Sequence, residues 1–349
     1  MYTEDQKAAA PYRRRLVDET AAFIEGLRVE CDRRRAEYFT PNTSSPEAYA
    51  ESVKKYRADL VSLLGRPLSE YPSELPSKFE RQKLSEDELG TVERLWVKVA
   101  PGLSSYGLLF LPHGEGKHPY VSAFHGGSGT CEIVSSIYNS ANYHDLVQRI
   151  RRKTGAIVYA PQIMLWNDNY NTCDAEKSDN IGHDNKLRQV GGSMAALEVY
   201  KIMRTVDWIS ANLPVDTERM GVAGLSYGGF YTQMNAAIDT RYKAALSSCY
   251  FNDRYKHPWG DWVWFDVASK FLDPEIVSLI CPRALCIEVG EIDPLFKGSD
   301  SAPLAKKVAE RYSAIGLSDK FRFHIHPGNH EFNKTDENLD WFVAKLMEK

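Results

Sequence analysis

Between residues 120 and 326 the chain alternates short apolar runs with helical stretches, and this alternation narrows the fold more than any other feature. The runs cover residues 120–124, 156–160, 220–223, 244–246, 284–289 and 321–326, and a long helix is plain over 195–203. Strands buried on both faces read as continuous apolar segments, and parallel neighbours need crossover helices between them. The expected fold class is therefore α/β, a doubly wound, mostly parallel sheet. Ahead of it, residues 95–99 and 106–111 flank Pro101-Gly102, the pattern of a β-hairpin.

The first ninety or so residues read as helical instead. Leu16, Phe23, Leu27 and Cys31 recur at helical spacing. In a second helix Ser45 can cap, Pro46 suits the first turn, and Gly65 can end it, with Tyr49, Val53, Tyr56, Leu60 and Leu64 on one face. The expected division is a helical extension over 1–91 that packs on the core, then an α/β domain over 92–349 interrupted by an insertion at about 250–280.

Composition removes several function classes. A hydrophobic share of 43% supports a sizeable core, and a net charge of −4 gives no electrostatic case for nucleic acid. No run of eighteen apolar residues is present to span a membrane, and the first residues lack a signal-peptide pattern, so a cytoplasmic product is expected. The six cysteines are scattered without a C-x-x-C pair, which removes the usual zinc and redox readings. Homo-oligomerisation is left open.

Chemistry concentrates at Gly224-Leu225-Ser226-Tyr227-Gly228-Gly229, between the run at 220–223 and a helical pattern. That context is what a nucleophile elbow requires: a tight strand-to-helix turn that lifts a serine hydroxyl to the sheet edge. A serine needs a base, and the base an orienting acid. Asp293 follows the strand at 284–289, with Glu291 as the fallback on the same loop and Asp266 a more distant candidate. His330 lies on the Gly-containing loop after the last strand, whereas His324 and His326 fall within it. A zinc reading of His326, His330 and Glu331 lacks the H-E-x-x-H arrangement, so neither a metal nor a cofactor is expected. For an oxyanion hole, Gly127 in His125-Gly126-Gly127-Ser128-Gly129 and Tyr227 after the serine are the expected backbone donors, with His125 structural.

With these residues the sequence resembles the α/β-hydrolase superfamily, in the branch of dienelactone-hydrolase-like and acetyl xylan esterase-like proteins. The carriers are His125-Gly126-Gly127, the Gly224–Gly229 turn, Gly290 with Asp293, and His330, together with the segment 247–252. The resemblance covers about residues 92–349 and implies a cofactor-independent serine hydrolase of small esters. Dienelactone hydrolases proper use a cysteine nucleophile, so Ser226 argues for a serine esterase.

The insertion carries Trp259, Trp262 and Trp264, three of the seven tryptophans, just after a strand whose end should face the site. They are expected either to bind substrate or to pack on one another; residues 166–173 are a second candidate rim. The favoured substrate is an acetyl ester of a carbohydrate-like alcohol. The alternatives are a prolyl-oligopeptidase-type peptidase and an inactive binding protein on the same fold.

Overall fold

A computed structural model describes residues 1–127, 129–163 and 180–348, of which 180 and 181 as backbone. Helices α1 (Ala10–Tyr38) and α2 (Pro46–Leu64) precede a meander of β1 (Phe79–Asp87), β2 (Gly90–Ala100) and β3 (Leu103–Pro112). Then follow β4 (His118–Phe124), α3 (Cys131–Val134), α4 (Leu146–Thr154), β5 (Ile157–Pro161), α5 (Asn180–Gln189) and α6 (Met194–Asn212). The rest of the chain adds β6 (Val215–Leu225), α7 (Tyr227–Ile238), β7 (Ala244–Ser248) and α8 (Asp273–Ser278). It ends with β8 (Ala284–Gly290), α9 (Gly298–Ala314), β9 (Phe321–His326) and α10 (Glu337–Met347).

Among the described residues the strands form one sheet in the order β1-β2-β3-β5-β4-β6-β7-β8-β9. From β5 to β9 every pairing is parallel, and β1, β2 and β3 are antiparallel additions at one edge. The period of two along a strand divides the core. Tyr120, Phe124 and Tyr159 face a cluster built with α2, α6 and α7, while Val121, Ala123 and Val158 face α4 and α10. Chain order reverses direction across β4, which opens a crevice at the C-terminal strand ends.

Helix α2 follows its sequence closely. Ser45 Oγ accepts from the Ala48 N–H at 3.1 Å, the five expected residues are buried, and Gly65 ends the helix at φ 80°. The first helix departs from expectation. None of its residues is buried, and contact with the core is confined to its C-terminal turns. The sheet also begins earlier than residue 92, at Phe79. Strand β1 has little apolar alternation because it is an exposed edge, so sequence periodicity could not reveal it.

Candidate active site

Ser226 joins β6 to α7 with φ 60° and ψ −119°, a conformation a non-glycine residue adopts only under constraint. Its N–H donates to the Ser248 carbonyl at 2.8 Å, tying the turn to β7. Close packing makes glycine necessary beside it: a Cβ at Gly228 would lie 2.3 Å from the Phe124 carbonyl oxygen, and one at Gly224 2.4 Å from that of Gly228. The serine is thus fixed at the strand end, 9% exposed, at the N-terminus of α7, the positive end of that helix's dipole.

The glycine loop after β4 lies directly against this turn. A Cβ at Gly126 would come within 3.1 Å of Ser226 Cβ, and one at Gly127 within 3.4 Å of the Tyr227 ring. The Tyr143 hydroxyl accepts the Gly126 N–H at 2.7 Å. Buried His125 secures the other side, its Nε2 accepting from the Ile163 N–H at 2.9 Å while Nδ1 lies 2.9 Å from the Gly126 carbonyl. An accepting Nε2 leaves the proton on Nδ1 as donor. Burial lowers the His125 pKa to about 4, so this ring is a neutral strut.

Asp293 and His330 meet across the loops after β8 and β9, with Oδ2 2.8 Å from Nδ1. Asp293 Oδ1 accepts from the N–H groups of Leu295 and Phe296 at 2.8 and 3.0 Å. Burial pushes the carboxyl pKa up, but the His330 hydrogen bond, its charge and the two backbone donors outweigh this and hold it below the ordinary value. Glu291 and Asp266 are exposed, so Asp293 alone of the three candidates is placed against the imidazole.

Cys249, at φ 47° just after β7, stands between the elbow and the histidine loop. Its thiol donates to the Glu331 carbonyl at 3.2 Å, and burial followed by the charges of Asp293 and Glu288 raises its pKa, keeping it protonated. Cys249, Asp293 and His330 bring potential ligand atoms within 4.8 Å of one another, but His330 Nδ1 is already bonded to Asp293. The suggested set of His326, His330 and Glu331 does not converge: Glu331 Oε2 pairs with His144 Nε2 at 2.7 Å, and His326 Nδ1 faces the Pro327 carbonyl.

The insertion resolves the tryptophans differently. Trp262 is fully buried and Trp264 nearly so, packed around Phe230 of α7, which corrects their expected place as substrate contacts. Burying large aromatic surface against a core helix is the stronger driving force. A buried Arg254–Asp273 ion pair at 2.5 Å secures the segment, and Arg254 also donates to the Trp262 carbonyl at 2.8 Å. Trp259 is partly exposed and stacks on Trp262 at 4.5 Å and on Tyr227 at 5.9 Å. The Tyr227 hydroxyl donates to Asp261 at 3.0 Å, and the Phe296 ring lies 5.8 Å from that of His330. The second rim candidate, residues 166–173, lies outside the described residues.

Sequence reasoning missed Tyr143, Asn142 and Phe296. Asn142 Nδ2 donates to the His330 carbonyl at 2.9 Å from 188 residues away, a separation at which no local pattern exists.

Comparison with known proteins bears on the fold. A model of the prolyl oligopeptidase family matches residues 172–271. YtaP of Bacillus subtilis (strain 168), named as a hydrolase, is 27% identical over 38% of this chain and 47% of its own. The venom dipeptidyl peptidase 4 of Vespa velutina is 30% identical over 53% of this chain and 21% of its own. The chain thus matches about half the length of one curated relative and a fifth of the other. Among solved structures, one from Bacteroides fragilis NCTC 9343 named as an acetyl xylan esterase superposes with a TM-score of 0.63 at 16% identity, covering 87% of this chain and 86% of that one. A glucuronoyl esterase from Solibacter usitatus gives 0.62 at 15% identity, over 89% and 98%. The chain has the α/β-hydrolase fold. No helix among the described residues is long and apolar enough to cross a membrane.

Proposed function

We propose that this protein is a serine hydrolase that cleaves carboxylic esters through an acyl-enzyme. The observation that carries the reading is the Asp293–His330 pair at 2.8 Å, on loops at the same sheet edge as the strained Ser226 turn. Ser226 Oγ attacks the ester carbonyl while His330 Nε2 takes its proton; the same nitrogen then protonates the departing alcohol. Asp293, accepting from Nδ1–H, fixes the tautomer and stabilises the imidazolium. The N–H groups of Gly127 and Tyr227 receive the oxyanion, and water, deprotonated by His330, releases the acid. Ser226→Ala is expected to lower turnover of p-nitrophenyl acetate by several orders of magnitude and to abolish fluorophosphonate labelling. A variant that keeps near-wild-type turnover would remove Ser226 from the mechanism.

The finer reading is an acetyl ester of a carbohydrate-like alcohol. It is supported by the shared fold with structures named for acetyl xylan and glucuronoyl esterases, and by Trp259, partly exposed beside Tyr227. An acyl-length series run beside acetylated sugars tests it. Rates that rise from acetyl to octanoyl, with no acetate released from sugar, would leave the esterase reading and end the carbohydrate one.

A second reading, a peptidase of the prolyl-oligopeptidase type, has its own support in the family match over 172–271 and in the venom peptidase. Short aminoacyl-amide and aryl-ester substrates assayed side by side separate the two. Efficient amide cleavage with poor ester cleavage favours the peptidase.

A further inference from the structure

Helix α1 carries Tyr12, Leu16, Phe23 and Leu27 at separations of four, seven and four residues, which is a single stripe along a helix. The stripe continues through Cys31 and Arg35 to Tyr38, and at that end it is docked. Tyr38 meets Tyr56 and Phe271 edge-on at 5.1 and 5.7 Å, and Arg35 pairs with Glu275 at 3.1 Å. Toward the N-terminus it is bare: Tyr12, Leu16, Phe23 and Leu27 are 76%, 65%, 68% and 52% exposed. Where docking stops, a cleft of about 690 Å³ opens between α1 and the insertion. Ile24, Leu27 and Cys31 line one wall, and Pro258, Val263 and Val267 the other.

We propose that two copies of this chain associate about a two-fold axis, the N-terminal half of each α1 lying in the cleft between α1 and the insertion of the other. An isologous contact joins two complementary features at once, a projecting apolar stripe and an open apolar cleft carried by the same helix. Covering the four stripe residues and Ile24 in both copies removes on the order of 1,000 Å² of mainly apolar surface, the area at which stable interfaces begin. The charges fit a protein partner. The cleft rim bears Glu25 and Asp253 with Arg28 and Lys256, and the flanks of the helix bear Asp18 and Glu19 with Arg14 and Arg15. Both surfaces thus carry both signs, whereas a helix that lies on an anionic membrane has a predominantly basic polar face.

Sedimentation equilibrium of the full 349-residue chain, from about 1 to 100 μM, tests the proposal. Wild type is expected at twice its 39.5 kDa mass. Leu16→Asp combined with Phe23→Asp is expected to weaken association at least about a hundredfold, with the far-ultraviolet circular dichroism spectrum and fluorophosphonate labelling unchanged. A photo-cross-linking residue at position 16 should react with residues 258–267 of the other copy in a mixture of isotopically light and heavy chains. A monomeric wild type, a double variant that still dimerises, or cross-links confined to one chain would each overturn it. So would a wild-type monomer that co-sediments with vesicles of anionic lipid.

Discussion

His144 Nε2 lies 2.7 Å from Glu331 Oε2, joining the segment between β4 and β5 to the loop that carries His330. Asn142 reinforces the joint, accepting the Phe332 N–H at 2.8 Å through its carbonyl and donating to the His330 carbonyl at 2.9 Å. Ala141, His144 and Asp145 all have positive φ, between 41° and 58°. Three such residues in five positions cost roughly 1–3 kcal/mol each. On the proposed mechanism this clamp sets the height of the imidazole over Ser226. Asn142→Ala is expected to lower kcat about tenfold with little change in KM, since it loosens a positioning contact and leaves the substrate pocket intact.

Glu331 supplies a pH signature. Burial raises its carboxyl pKa, but the Asn329 N–H, His144 and Lys334 outweigh that and bring it from 4.5 to about 2. A depressed carboxyl stabilises the fold fully above its unfolded value, and the contribution is lost as pH falls through the folded one. Thermal midpoints of the wild type should therefore fall between about pH 4.5 and 2, and Glu331→Gln should fall less steeply across that window. Parallel curves would show that the carboxylate is not held as described.

Asp261 shifts the other way. Burial raises its pKa from 3.8 to about 6 against the opposing Tyr227 hydrogen bond; the negative charge of Asp184 adds to the rise and Arg188 opposes it. Between these values the unfolded carboxyl ionises while the folded one keeps its proton, so stability declines as pH rises through the window. Asp261→Asn keeps an acceptor for the Tyr227 hydroxyl and removes the ionisation. At pH 7 its thermal midpoint should exceed wild type by about 2 °C or more, and the difference should vanish as pH falls below the unfolded value of 3.8.

The two acids on one loop make a direct comparison. Asp293→Asn is expected to lower kcat on the order of a thousandfold or more, because the His330 tautomer is no longer fixed. Exposed Glu291→Gln should stay within about twofold of wild type. Equal and modest losses would remove both from the triad.

The tryptophans separate stability from binding. Trp262→Ala empties a fully buried site and should cost about 3–5 kcal/mol in urea unfolding. Trp259→Ala should cost far less and change KM for aryl or sugar esters. A large stability loss at Trp259 with KM unmoved would assign it to packing as well.

Local rules were sufficient wherever an element is made by its own residues. Ser45, Pro46 and Gly65 bound α2, the Pro101-Gly102 turn separates β2 from β3, and the small residues around Ser226 mark the elbow, because capping and positive φ depend on residues a few positions apart. The parallel sheet was legible for a related reason: strands buried on both faces must be continuously apolar. Tertiary structure alone decided the rest. Asp293 is the first choice in sequence with Glu291 as the fallback on the same loop, and only the backbone direction after β8 brings one against His330 and leaves the other in solvent. The stripe on α1 and the face of α2 have the same periodicity, yet the N-terminal part of the first is bare and the second is buried, because periodicity states that a face is apolar and not what covers it. Trp262 and Trp264 went into the core for the same reason. An aromatic side chain gains from burial wherever the fold offers a site, and the position of that site is a property of contacts between residues far apart in the chain.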